Sequence, residues 1–98
     1  MSEAHVERLV AADFRNGEYI GDEFRLDIQG HIEVEGGLGW VKVPKLKASL
    51  SISIEAGSCI EAGSGIKAGS GIEAGWGIKA GWGIEAGEGI KAGWAIRS

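Results

Sequence analysis

Few side chains in this chain could move a proton or attack a carbonyl. His5 and His31 are the only histidines and Cys59 is the only cysteine among 98 residues. Histidine titrates near neutrality and is the commonest general base. A single cysteine can form neither an intramolecular disulfide nor a cysteine-based zinc site. No serine, histidine and acid fall at spacings that suggest a triad, although triads are assembled in space and not along the chain. Gly87-Glu88-Gly89-Ile90-Lys91-Ala92-Gly93 is glycine-rich like a dinucleotide loop, but its spacing differs and no strand-loop-helix pattern surrounds it. Calcium-binding β-rolls carry aspartates in their turns, and residues 46–98 contain no aspartate. The expectation is a non-enzymatic protein with no catalytic residue, no metal and no cofactor.

A repeat must position whatever these residues do. Ile54, Ile60, Ile66, Ile72, Ile78, Ile84, Ile90 and Ile96 stand six apart, in a unit reading Ile-(Glu/Lys)-Ala-Gly-x-Gly. In an extended strand, Ile and Ala two apart share one face and the charged residue between them takes the other. Helix is disfavoured, because two glycines per unit each cost about 1 kcal/mol relative to alanine. Glycine is expected to supply backbone freedom at the corners. The charges then set the winding. The second position runs Glu61, Lys67, Glu73, Lys79, Glu85, Lys91. A two-sided coil would stack like on like at about 4.8 Å, which is destabilising. Three sides, or 18 residues per coil, stack Glu61 on Lys79, Lys67 on Glu85 and Glu73 on Lys91. The same rule leaves two mismatches, Glu55 on Glu73 and Lys79 on Arg97. An antiparallel meander and a cross-β fibre are the competing arrangements.

Residues 54–98 thus resemble the left-handed parallel β-helix of hexapeptide-repeat proteins, which carry an aliphatic residue every six and three sides per coil. The fold class expected is all-β, a three-sided parallel β-solenoid with a short N-terminal cap; the resemblance implies left-handed winding. It also implies an alternative activity, a reduced acyltransferase in which a histidine such as His31 would act at a cleft between subunits. There is a departure. The family prefers a small residue two places before the aliphatic one, where this chain has Ser58, Ser64 and Ser70 and then Trp76, Trp82, Glu88 and Trp94. Outward, Trp76, Trp82 and Trp94 would make an apolar contact strip; inward, they would fill a wide core.

A weaker hexad, Ile20, Leu26, Ile32 and Leu38, precedes the clear one; its last three members are followed two residues on by Ile28, Val34 and Trp40. Residues 20–45 are therefore expected to be degenerate rungs of the same solenoid or a β-meander, and 46–98 the regular solenoid. Leu46, Ala48, Leu50, Ile52 and Ile54 alternate over a length that suggests one long strand or a bulge where the two registers meet. Residues 1–19 form the N-terminal cap, with helix or strand equally open for 2–14. The final Ala95, Ile96 and Arg97 are expected to be an open edge covered by a second copy, giving a homodimer.

The net charge of −4 is unevenly placed. Residues 1–45 hold nine acids against five bases, and 46–98 hold five of each. Phosphate binding needs clustered Lys and Arg, so neither nucleic acid nor an anionic membrane is expected as a direct partner. Asp22, Glu23, Asp27, Glu33 and Glu35 are the acidic candidates for contact with a basic protein surface. The leading expectation is a protein-binding, self-associating module. The alternative is a phage or mobile-element inhibitor, of anti-CRISPR type, whose acids occupy a nucleic-acid-binding site. The N-terminus shows no secretory signal and no apolar stretch reaches membrane-spanning length, so a cytoplasmic location is expected, that of the host if phage-encoded.

Overall fold

A computed structural model of the chain describes residues 5–75, 77–81, 83–87, 89–92 and 95–97. Its strands begin with β1 (His5–Leu9), β2 (Phe14–Arg15) and β3 (Glu18–Tyr19). They continue with β4 (Asp27–Ile28), β5 (Gly30–Val34), β6 (Gly39–Val43), β7 (Leu46–Ala48) and β8 (Ile52–Ile54). The repeat supplies β9 (Ser58–Ala62), β10 (Gly65–Ala68), β11 (Gly71–Ala74), β12 (Gly77–Ala80), β13 (Gly83–Ala86), β14 (Gly89–Ala92) and β15 (Ala95–Arg97). Three sheets, β1-β5-β8-β11-β14, β4-β7-β10-β13 and β2-β3-β6-β9-β12-β15, form the walls of a parallel β-solenoid of about four turns. All pairings are parallel except the β2–β3 hairpin.

The expected 18-residue stacking holds for the later coils. Ile66 lies against Ile84, Ile72 against Ile90 and Ile60 against Ile78. The three expected charge pairs follow: Lys67 opposite Glu85, Glu73 opposite Lys91, Glu61 opposite Lys79. The like pair Lys79 and Arg97 is also there. Between the walls, Ile60, Ile66, Ile72 and Ile78 are buried together with Ala62, Ala68, Ala74 and Ala80. The charged residue between each Ile and Ala faces out, as period-two alternation requires.

Upstream the register departs from the expected hexad. Ile54 is not in the isoleucine column: Ile72 lies opposite Ile52, and Ile54 takes the alanine position opposite Ala74. Glu73 therefore faces Ser53, and the expected Glu55–Glu73 clash does not occur. The alternating run from Leu46 to Ile54 is two short strands around a corner at Ser49–Ser51, not one long strand. The column then jumps eight residues, from Ile52 to Ile60, across a corner where Gly57 holds φ of 90°. Leu38 and Trp40 likewise lose the inward pair to Val41 and Val43, because Gly37 and Gly39, both at positive φ, move the strand along.

Corner glycines of the repeat turn out to serve a purpose other than conformational freedom. None of Gly63, Gly69, Gly75, Gly81 or Gly87 has positive φ. Each donates its N–H to the coil before, for example Gly69 to Ala48 O at 3.0 Å and Gly81 to Ala62 O at 2.9 Å. A Cβ on Gly69, Gly81 or Gly87 would collide with the carbonyl oxygen of Ser49, Gly63 or Gly69 respectively. At these three corners successive coils run so close that a side chain has no room.

The corner at Gly57 stacks on the one at Gly37, and Ser58 joins them. Its fully buried hydroxyl donates to Glu35 O and accepts from Leu38 N at 3.0 Å. Ser58→Ala leaves both backbone groups without that partner and should lower stability by about 1–2 kcal/mol, read from urea midpoints at unchanged m-value.

The N-terminal segment, open between helix and strand on sequence, is strand followed by a 3-10 turn at Ala11–Asp13. β1 is the first rung of its wall, pairing with β5 from His5–Gly30 to Leu9–Val34. Asn16 and Gly17, both at positive φ, close the β2–β3 hairpin as a two-residue turn demands. Leu9 and Leu26 are fully buried.

Candidate protein-contact site

Arg25 sits at the centre of the N-terminal end. Its Nε donates to Glu7 Oε2 at 2.5 Å, its Nη1 to Asp13 Oδ1 at 2.5 Å, and its Nη2 to the Arg8 carbonyl at 2.9 Å. Asp13 also accepts from Val10 N at 2.8 Å, and Glu7 meets His5 Nε2 at 2.8 Å. Glu7 lies opposite the inward-facing Ile32, so its carboxylate is drawn over the end of the core. The His5 ring and the Arg25 guanidinium hold the Glu7 carboxyl below its ordinary pKa; Arg25 does the same for Asp13, aided by Val10 N–H. Burial raises the nearby Tyr19 phenol. Sequence reasoning did not single out Arg25, because its two acids lie 12 and 18 residues away.

A loop is built on this base. It runs from Ile20 to Phe24, from the end of β3 into a 3-10 turn at Glu23–Leu26. Ile20 N donates to Asp13 O at 2.9 Å, and the Tyr19 hydroxyl donates to Asp22 O at 2.7 Å. Asp22 caps the turn by accepting from Phe24 N at 3.0 Å. Gly21 lies against the Tyr19 ring, which a Cβ would push aside. On this frame Phe24 is 83% exposed and Ile20 59% exposed.

The five acidic contact candidates differ in what they meet. Asp27 lies opposite Lys47 and Glu33 bonds Arg8 at 3.2 Å. Glu35 accepts from Ala11 N at 3.1 Å. Arg8 also binds Glu55 at 2.8 Å, which depresses the Glu55 carboxyl. Asp22, Glu23 and Glu35 have neither an ion-pair partner nor a cation opposite them among the described residues, and of these Asp22 and Glu23 adjoin the exposed Phe24. Trp76, Trp82 and Trp94 lie outside the described residues. Ala95, Ile96 and Arg97 form β15, paired with β12 through Gly77–Ala95, Ile78–Ile96 and Lys79–Arg97.

No family model, curated protein or solved structure matches this chain.

His31, by contrast, acquires a partner twenty residues away. One coil later Ser51 comes alongside, with Oγ 2.5 Å from Nδ1. Serine on imidazole is half of a nucleophile–base pair. Here no carboxylate meets the ring's other nitrogen among the described residues. The surrounding N–H groups of Ile32, Leu50 and Ser70 are donated across the coils. The contact ties β5 to β8. Cys59 is a free, buried thiol opposite Trp40. Among the described residues no three His, Cys, Asp or Glu side chains converge as metal ligands, and no helix is long and apolar enough to cross a membrane.

Sequence reasoning passed over Phe24 and placed Ile20 and Trp40 in the hexad. Phe24 is a large apolar residue off the six-residue phase, and that misfit was the available signal.

Proposed function

We propose that this chain is a non-enzymatic interaction module that works through protein contacts made at its N-terminal end. The observation that supports this is the polarity of the rod. Among the described residues, the exposed large apolar side chains, Val6, Ile20, Phe24 and Trp40, all belong to residues 6–40. Outward positions of β10 to β14 carry only glycine and the alternating Lys and Glu. Exposed large apolar and aromatic side chains are candidates for protein contact.

Self-association belongs to the same proposal, with β15 as an outer strand against which another copy could pair. The phosphate-mimicking inhibitor reading draws less support, since Glu33 pairs with Arg8, Glu35 accepts from Ala11 N and Asp27 lies opposite Lys47. The hexapeptide-family acyltransferase reading rests on His31, which meets Ser51 through Nδ1 but has no carboxylate on its other nitrogen among the described residues. Photo-crosslinking in the cells that express the protein tests the module. A benzophenone side chain at position 6, 24 or 40 should yield protein adducts, and one at position 67 or 85 should not. Absence of any adduct from the first three positions would defeat the proposal.

A further inference from the structure

We infer that the Ile20–Phe24 loop is a preformed docking element for a basic polypeptide surface with an apolar centre, with Phe24 and Ile20 as anchors and Asp22 and Glu23 as the matching charges. The inference rests on the interaction-module reading and names the partner chemistry of one part of it. Three observations carry it. Phe24 is nearly fully solvent-facing at 83% exposure, with Ile20 at 59% in the same five residues. Aromatic side chains are the commonest anchors of protein contacts. The loop is also held on both sides: Tyr19 bonds Asp22 O, Asp22 caps Phe24 N and receives Arg25 N at 3.1 Å, and Arg25 itself is locked by Glu7 and Asp13. A rigid anchor loses little conformational entropy on binding. Lastly, the unpaired charge of the loop has one sign. Arg25, the loop's cation, is consumed by two acids inside the molecule, while Asp22 and Glu23 face outward without a cation among the described residues. Negative charge ringing an apolar anchor selects a partner carrying Lys or Arg around an apolar site.

Selection of a phage-displayed library of random dodecamer peptides on the immobilised full chain tests this, followed by calorimetry on the synthesised winners. The expected winners have an apolar residue flanked by Lys or Arg. Phe24→Ala should weaken their binding at least tenfold, and the pair Asp22→Lys with Glu23→Lys should do the same and flatten the salt dependence. Glu85→Lys, on a distant strand, should change it less than twofold. Thermal melts of each variant separate lost binding from lost folding, and the exposure of all three positions makes folded variants the expectation. Winners lacking basic residues, or indifferent to Phe24→Ala, would overturn the inference. If such winners are instead lost on Trp40→Ala, the loop fails and the broader module reading stands. Self-association that disappears with Phe24→Ala would make a second copy the occupant and would also overturn the basic-partner assignment.

Discussion

Gly69→Ala should destabilise the solenoid by roughly 3 kcal/mol, whereas Gly63→Ala should leave stability unchanged or raise it by up to about 1 kcal/mol. The two glycines occupy the same place in the same local sequence, Ile-Glu-Ala-Gly-Ser-Gly and Ile-Lys-Ala-Gly-Ser-Gly. Neither has positive φ, so alanine is not strained by conformation at either site. What differs is the coil above. At Gly69 a methyl would overlap the Ser49 carbonyl oxygen, a backbone atom that can retreat only by breaking the Gly69 N–H to Ala48 O bond. At Gly63 the nearest atom is Pro44 O at 3.6 Å, an ordinary contact. The gain there comes from an unfolded chain with fewer accessible states. Urea denaturation gives the comparison directly. Equal midpoints for the two variants would refute the close-approach explanation of the corner glycines.

Arg25→Gln should cost about 2 kcal/mol at pH 7 and should also make the protein's stability less sensitive to acid. The cost arises because Glu7 and Asp13, at 19% and 15% side-chain exposure, would be left without the cation that joins them. Breaking a buried pair costs about 3–5 kcal/mol, and the 30% exposure of Arg25 reduces that through solvent screening. Both carboxyls titrate below their ordinary values in the folded protein. A depressed carboxyl stabilises the fold above the unfolded pKa, near pH 4, and that contribution fades as pH falls through the lower folded value. Without Arg25 the Asp13 value moves back up, and Glu7 keeps only its contact with His5. The stability lost between pH 5 and pH 2 should therefore be smaller in the variant than in the wild type. Urea midpoints across that range measure it; parallel curves would remove Arg25 as the cause.

The alternation of Glu and Lys along the repeat decided for three walls over two and so for an 18-residue coil. Like charges on adjacent parallel strands repel, and only three sides place Lys67 on Glu85 and Glu73 on Lys91. Apolar spacing was a weaker guide. Ile54 and Leu38 kept the six-residue phase on paper and lost it in space, because a corner can absorb two or three extra residues at Gly37, Gly39 and Gly57 without disturbing the inward alternation on either side.

The sequence by itself determined the solenoid, its outward charge ladder and the isoleucine column from Ile60 onward, since each follows from interactions between residues at a constant separation. Only the tertiary structure decided which acids remained unpaired. It drew Glu7 and Asp13 onto Arg25, Glu33 and Glu55 onto Arg8, and left Asp22 and Glu23 beside an exposed Phe24. Those partners lie 12 to 47 residues apart with no repeating interval. Ion pairing acts across space between coils, and no periodicity along the chain encodes it.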